Sequence, residues 1–201
     1  MVSKWQFNLT SLKDNVGGIG PGNLMIAFAR PEVGKTAFWV SLCAAPNGFA
    51  EQGAKIHAFI NEEPAVRTQM RAISCFTGYN KEQIVDDIDK VHEDWIKIKD
   101  NIKMIDTVDW SLDDIDSHCE KHKPDIIVID QLDKVNVKGT FARTDEKLRA
   151  IYTGAREIAK RRDCVVIAIS QASADADNKD HISFAMMENS KTGKAAEADL
   201  I

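Results

Sequence analysis

The chain has 201 residues, of which 44% are hydrophobic and 28% charged, and its formal net charge is −5. This composition fits one domain with a core of its own, and four scattered cysteines with no pair at metal or redox spacing exclude a disulfide framework. No apolar run approaches the roughly 18 residues of a membrane span, and no charged-then-apolar leader opens the chain, so we expect a cytoplasmic protein without a membrane partner.

Five short apolar runs recur along the chain and predict the strands of a parallel sheet. Each run is largely unalternated and is followed by a polar stretch, which is typical of strands that are buried on both faces. The fold class predicted is therefore α/β, with a mostly parallel sheet, right-handed crossovers and helices on both faces. The runs are Leu24 to Phe28, Ile56 to Ile60, Ile102 to Ile105, Ile126 to Ile129 and Val165 to Ile169.

Apolar residues at helical spacing predict three helices between these strands. In the second helix Ser111 is placed as the N-cap and Asp114 as its capping-box partner. Ligands of open α/β sheets bind at the carboxyl ends of the strands, so function is sought in the residues that follow each run. The three stripes are Ile84, Ile88, Val91, Trp95 and Ile98; Leu112, Ile115 and Cys119; and Leu148, Ile151, Ala155 and Ile158.

The segment LMIAFARPEVGKT joins the first strand to a helix through a loop that ends Gly34-Lys35-Thr36. Loop N–H groups and the positive end of the helix would face phosphates, which Lys35 would also reach, while the Thr36 hydroxyl would bind Mg2+. Ala29 stands where the usual pattern has glycine, and its methyl group costs little if φ stays negative. We expect ATP to contact Ala29, Arg30, Pro31, Glu32, Val33, Gly34, Lys35, Thr36 and Ala37.

Three polar residues that close later strands complete the expected ATPase site. Asp130 would hold the magnesium ion with Thr36, and the alternative is an aspartate that merely begins a loop. Glu62 would polarise the attacking water as a catalytic residue with Lys35; the alternative, a glutamate that stabilises the helix dipole, suits Glu63 better.

Gln171 would hydrogen-bond the γ-phosphate and report its presence to the following loop, unless it is simply a polar residue that ends a strand.

His118 and His122 have the spacing of zinc ligands on a helix. Cys119 stands where a metalloprotease would need glutamate, so we expect surface histidines instead.

These motifs, in this order, resemble the RecA-type motor domain of DnaB-family replicative helicases over nearly the whole sequence. The resemblance includes Ala-Arg-Pro before the phosphate loop in place of the leading glycine, whereas Glu63 stands where methionine is common. The segments that carry it are GGIGPGNLMIAFARPEVGKT, NEEPAVRTQMRAISCFTG, IIVIDQLDKV, ARTDEKLRAIYTGAREIAKRRDCVVIAISQ and MENSKTGKAAEADLI.

The resemblance implies a homo-hexameric ring that hydrolyses ATP at subunit interfaces and moves along single-stranded DNA, with primase or a helicase loader as further partners. Its fold places the strand ending at Gln171 between those ending at Ala29 and Asp130. DNA would touch two long loops, with backbone amides sharing the phosphate contacts because the chain is acidic overall. The cations available are Lys138, Arg143, Lys179, Lys191 and Lys194.

On this interpretation residues 1–201 form a single RecA-like ATPase domain with a short N-terminal segment, 1–23, and the C-terminus interrupts a core strand before the family's arginine finger. The divergent residues within these motifs favour a phage protein. Two alternatives stay open at this point. One is a recombinase or clock-type relative of RecA that forms filaments or rings without unwinding, and the other is a nucleotide-binding switch without turnover.

Overall fold

The computed structural model describes residues 3–173, 176, 179, 182–183, 186–187 and 194–201. Within them a two-stranded antiparallel sheet precedes a five-stranded sheet, and all four pairings of the larger sheet are parallel. All five predicted strands are confirmed. The strands are β1 Trp5–Gln6, β2 Gly18–Ile19, β3 Leu24–Ala29, β4 Ile56–Ile60, β5 Ile102–Asp106, β6 Ile126–Asp130 and β7 Val165–Gln171.

Helices cover both faces of the large sheet, as the predicted fold class requires. Side chains alternate along the strands, so Ile126 and Val128 of β6 join one hydrophobic cluster while Ile127 and Ile129 join the other. The first cluster includes residues of α2, α3 and α5, and the second is formed with α6 and α7. The helices are α1 Thr10–Asn15, α2 Lys35–Ala44, α3 Ala65–Thr77, α4 Lys81–Asp86, α5 Ile88–Trp95, α6 Leu112–His122 and α7 Thr144–Arg161.

The first predicted apolar stripe does not form one helix, which corrects that expectation. The chain breaks at Asp87, whose φ of −135° and ψ of 65° are not helical and whose side chain caps α5 by accepting the Lys90 N–H. Ile88 is 69% exposed, and Ile98 is buried but lies beyond the end of α5. Aspartate competes for backbone hydrogen bonds in this way, so the apolar spacing is shared between two short helices.

The other two predicted helices are confirmed, and the packing between them depends on a glycine. Ser111 and Asp114 form the expected capping box at the start of α6. A Cβ atom on Gly154 of α7 would lie 2.7 Å from Leu112 Cδ1, so the absent side chain lets α6 and α7 approach closely. No helix of the described residues is long and apolar enough to cross a membrane.

The strand order β3-β7-β6-β4-β5 brings the expected site residues to one edge of the sheet. Ala29 is in register with Gln171, and Ile60 is in register with both Asp130 and Asp106. The strand ending at Gln171 therefore lies between those ending at Ala29 and Asp130, as predicted. The four cysteines carry free thiols, of which Cys75 is half-buried and the other three are buried.

Candidate nucleotide-binding site

The loop between β3 and α2 has the backbone of an anion-binding turn. Ala29 is extended as the last residue of β3, so its methyl group meets the condition set by the sequence. Glu32, with φ of 61°, and Gly34, with φ of 97°, both lie in the left-handed region and turn the chain into α2. Gly34 is the N-cap and offers no side chain, so the first N–H groups of α2 face outward without an intrahelical acceptor.

Lys35 and Thr36 open α2 and point their polar atoms at different partners. The Lys35 ammonium donates to the Arg30 carbonyl at 3.1 Å and so lies across its own loop. The Thr36 hydroxyl donates to Asp130 Oδ2 at 3.2 Å. This contact joins the phosphate loop to the end of β6, although 94 positions separate the two residues in the sequence.

Asp130 is 1% exposed and its carboxylate accepts three hydrogen bonds. The donors are Thr36 Oγ1, Trp39 Nε1 at 3.1 Å and the Gln131 N–H at 3.3 Å. Burial, with a smaller contribution from the Glu62 charge, raises the pKa of Asp130 above its usual value, and the three hydrogen bonds oppose this shift. A buried carboxylate in this position gains from a nearby cation.

The chemistry of these donors fits a magnesium ion. Mg2+ usually keeps several waters and takes one or two protein oxygens together with substrate phosphates. The Thr36 hydroxyl and the Asp130 carboxylate are such a pair and touch each other. Among the described residues no group of three or more His, Cys, Asp or Glu side chains could hold a metal ion, so this part of the chain contains no dedicated all-protein cage.

Glu62 and Glu63 follow β4 and have different surroundings. The Glu62 side chain is 43% exposed, and its Oε1 atom lies 3.4 Å from Lys134 Nζ. Glu63 instead accepts hydrogen bonds from Thr68 Oγ1 at 3.0 Å and from Arg71, both in α3. Glu63 is therefore occupied with the helix that follows it, and Glu62 is the carboxylate that is open to a ligand.

Gln171 ends β7 beside the phosphate loop. It is half-buried and its backbone lies opposite Ala29. Its N–H donates to Asp133 Oδ2 at 3.3 Å, in the short 3-10 helix that follows Asp130. The structure thus brings Lys35, Thr36, Asp130, Glu62 and Gln171 to one edge of the sheet, and their functional roles stay predictions.

Four residues in or beside this site were not identified from the sequence. Trp39 and Lys134 approach Asp130 and Glu62, and Asp133 holds the end of β7. Asp106 ends β5, and its Oδ1 atom accepts the Ala65 N–H at 2.8 Å at the start of α3. Asp106 carried a usable signal, since it closes an apolar run as Asp130 does. The other three are found only by packing.

The cations expected to meet DNA are not equivalent in the structure. Lys138 is 85% exposed and pairs with Asp113 at 2.7 Å, while Arg143 is 70% exposed and pairs with Asp145. Lys179 is exposed, and Lys191 lies outside the described residues.

Lys194 is only 1% exposed and its ammonium lies 2.6 Å from Asp133 Oδ1. The expectation that Lys194 offers its charge to DNA is therefore wrong for this structure. Its burial beside a carboxylate explains why the charge is not at the surface.

The histidines with zinc spacing are not plain surface residues. His57 Nδ1 lies 2.8 Å from His118 Nε2, and the ring of His122 stacks 4.3 Å from that of His118. Burial is the largest cause that lowers the pKa of His57 and of His118, each to about 4. The neighbouring His122 and Lys103 lower both pKa values further, while Lys55 adds to the shift of His57 and Lys121 to that of His118. This cluster lies at the amino end of β4, away from the site.

Comparison with known proteins agrees with this geometry. The family described as DnaB-like helicase C terminal domain matches residues 6–194 of the chain. The chain belongs to this family. The replicative DNA helicase DnaB of Pasteurella multocida (strain Pm70) is 24% identical over 183 residues, and that of Geobacillus stearothermophilus is 27% identical over 183 residues. These matches cover 84% and 85% of the chain but 39% and 40% of the relatives, so the chain spans about two fifths of their length.

Solved structures share the fold. A DnaB-like replicative helicase, studied with its interactions with primase, is 24% identical and has a TM-score of 0.78 over 95% of this chain and 49% of that one. A second solved structure, of an ATPase domain, is also 24% identical, with a TM-score of 0.78 over 94% of this chain and 72% of that one. The five-stranded parallel sheet with helices on both faces is therefore the RecA-like fold of DnaB-like helicase ATPase domains.

Proposed function

We propose that this chain is the motor domain of a replicative DNA helicase, which binds ATP with Mg2+ and hydrolyses it to move along single-stranded DNA. The observation that carries the proposal is the contact between the Thr36 hydroxyl and the buried Asp130 carboxylate at the head of α2. In a member of this helicase family, that contact joins the phosphate loop to the strand end where magnesium would be held.

Each residue of the site then has a role that its surroundings support. Lys35 and the first N–H groups of α2 bind the phosphates, and Thr36 and Asp130 hold Mg2+. When bound, the ion neutralises charge on the β- and γ-phosphates. Glu62 accepts a proton from the attacking water, with Lys134 beside it to orient the carboxylate. Gln171 would contact the γ-phosphate from the neighbouring strand end.

The wider assembly is part of the same proposal. The chain would act as a ring of six subunits on single-stranded DNA, as expected for this family. Exposed cations Lys138, Arg143 and Lys179 would contact the DNA backbone, and the salt dependence of binding would report these contacts. A helicase of this fold has been studied with primase, so primase or a loader is the proposed protein partner.

Hydrolysis of ATP in the presence of single-stranded DNA tests the proposal. Lys35→Ala and Glu62→Gln are expected to lower stimulated turnover to background, because one loses phosphate contact and the other the proton acceptor. Two matched variants should keep turnover near that of the wild type. Lys160→Ala removes an exposed lysine at the far end of α7, and Glu63→Gln changes the neighbouring carboxylate that faces α3. Turnover that survives both site variants would refute the assignment.

The same assay separates the remaining alternatives. A nucleotide-binding switch would bind Mg2+ and ATP at Lys35 but release no phosphate. A recombinase or clock-type protein is disfavoured by the family match over residues 6–194. Electron micrographs with ATP and DNA would still distinguish rings from filaments.

A further inference from the structure

A buried polar cluster lies directly behind the end of β7. It consists of Asp133, Tyr152, Ser170 and Lys194, and the last three are each at most 1% exposed. One Asp133 oxygen is 2.6 Å from Lys194 Nζ and accepts the Tyr152 hydroxyl at 2.9 Å. The other accepts the Ser170 hydroxyl at 2.7 Å and the Gln171 N–H at 3.3 Å. A single carboxylate therefore organises this region.

Asp133 binds the end of β7 on the side where the β6 ladder stops, whereas on the other side β3 pairs with β7 as far as Gln171. The register between β6 and β7 ends at the pair Ile129 and Ala168, so Ser170 and Gln171 lie beyond it on that side. Asp133 comes three positions after Asp130 and binds both residues. The placement of Gln171 relative to Asp130 thus depends on this side chain as well as on the strand ladder.

Lys194 supplies the positive charge that this carboxylate needs. A partly buried carboxylate and a buried ammonium are costly unless they are paired and hydrogen-bonded, and Lys194 contacts both Asp133 and the Ser170 hydroxyl, the latter at 3.1 Å. Its ammonium also lies 5.0 Å from the centre of the Tyr152 ring, within the range of a cation–π contact. The ion pair and the end of β7 therefore form one packed unit.

Described residues near Gln171 make two further sets of contacts. Ala172 pairs with Met187, and the Ser173 N–H donates to the Met186 carbonyl at 2.7 Å. The contacts of Lys194 with Asp133 and Ser170 add a second attachment further along the chain. The first set of contacts involves Ala172 and Ser173, which directly follow Gln171. The second set involves Ser170, which directly precedes it.

We propose that the Asp133–Lys194 ion pair is a positioning device that holds Gln171 in reach of the γ-phosphate and so sets how strongly the site prefers ATP to ADP. This inference rests on the proposed function. Neither Asp133 nor Lys194 needs to touch nucleotide for the effect. In Lys194→Met the Asp133 carboxylate, whose side chain is 18% exposed, would turn towards solvent and release Ser170 and Gln171.

The test measures nucleotide preference by equilibrium binding, which needs no turnover. A fluorescent ADP is titrated with Mg2+ and then displaced by ADP or by a non-hydrolysable ATP analogue. Gln171→Ala is expected to lower the ratio of ATP-analogue affinity to ADP affinity by about tenfold, since a hydrogen bond to a charged group is worth that much or more. Lys194→Met and Asp133→Asn are expected to lower it similarly, with ADP affinity unchanged within about twofold.

A second ion pair provides the matched control. Arg162, the residue directly after α7, pairs with Asp116 of α6 at 2.8 Å, and their side chains are 19% and 18% exposed. Arg162→Met is expected to destabilise the fold but to leave the affinity ratio unchanged. If Arg162→Met also lowered the ratio of ATP-analogue affinity to ADP affinity, any loss of stability would be enough to lower it, and the proposal would be wrong.

The double variant Asp133→Asn with Lys194→Met separates positioning from stability. It removes both charges of the pair and so leaves neither without its partner, and stability is expected to recover at least in part relative to the single variants. The affinity ratio should stay low because the ion pair that positions the end of β7 is still missing. A ratio that recovers together with stability would overturn the inference.

The remaining outcomes distinguish this inference from the proposed function. If Lys35→Ala binds the ATP analogue as the wild type does, the proposed site is wrong and the inference falls with it. If Gln171→Ala lowers the ratio and Lys194→Met does not, the site stands and only the inference is overturned. If Gln171→Ala has no effect, Gln171 does not contact the γ-phosphate and there is nothing for the ion pair to position.

Discussion

Lowering the pH from about 7.5 to about 5 is expected to destabilise the folded chain by about 2 kcal/mol through His57 alone. His57 is the second residue of β4 and is 4% exposed. Its Nδ1 atom lies 2.8 Å from His118 Nε2, so a proton on either ring brings positive charge towards the other. His122, Lys55 and Lys103 face the same cluster and add to the repulsion.

The sign and size of this change in stability follow from the pKa of His57. Burial first, and then the neighbouring positive charges, lower it to about 4, whereas an unfolded chain has the usual value of 6.5. The folded state therefore prefers the neutral ring, and this stability is present above pH 6.5 and is lost as the pH falls towards 4. Thermodynamic linkage between the pKa values of the folded and unfolded states gives a loss of about 2 kcal/mol of folding stability at pH 5. Aspartates whose pKa is lowered, such as Asp116, lose their contribution only at lower pH.

Urea unfolding at both pH values checks this reasoning. The wild type should lose stability between about pH 7.5 and about pH 5, and His57→Gln should lose about 2 kcal/mol less because its side chain does not titrate. His92→Gln changes an exposed histidine on α5 and serves as the control, with the wild-type pH dependence expected. Equal losses in His57→Gln and in the wild type would mean that His57 is not the group responsible.

Three further substitutions test the framework of the site. Gly34→Ala places a side chain at φ of 97°, so we expect a cost of about 1 to 2 kcal/mol in urea unfolding and weaker binding of Mg2+ and ATP; an unchanged unfolding free energy would contradict the backbone assignment. Trp39→Phe removes the 3.1 Å hydrogen bond to Asp130 and should lower the unfolding free energy by about 1 to 3 kcal/mol, whereas a neutral result would show that another donor replaces it. Asp106→Ala leaves the Ala65 N–H without its acceptor and should cost about 1 kcal/mol in thermal unfolding, more than Asp106→Asn, which keeps an oxygen there.

The fold was largely predictable because the buried strands have a strong local signal. Apolar runs such as Ile126 to Ile129 have few alternatives in a chain of this composition, and their order along the chain leads to a parallel sheet. The error at Asp87 has a local cause of a different kind. A polar residue that breaks a helix by capping the next one leaves the apolar spacing intact, so periodicity alone does not reveal it.

The candidate site was predictable where the backbone decides the geometry. Asp130, Glu62 and Gln171 follow strands, and parallel strands place their carboxyl ends along one edge. Trp39 and Asp133 were missed because their contacts depend on how α2 and a 3-10 helix pack on that edge. Neither residue is distinguished in the sequence by its neighbours.

The error at Lys194 and the unpredicted contact between His118 and the buried His57 share a physical cause, which is that the sequence does not report which distant polar groups pack together. Lysine is usually exposed, which favours a DNA contact for Lys194, and histidines at helical spacing are typical of a surface. In both cases the partner is a polar group distant in sequence: Asp133 offsets the charge of the buried Lys194, and His57 shares a hydrogen bond with the partly exposed His118. Because such pairs form only after helix and sheet have packed, substitutions at Lys194 and His57 test the packing itself, and substitutions at Lys35 and Glu62 test the chemistry.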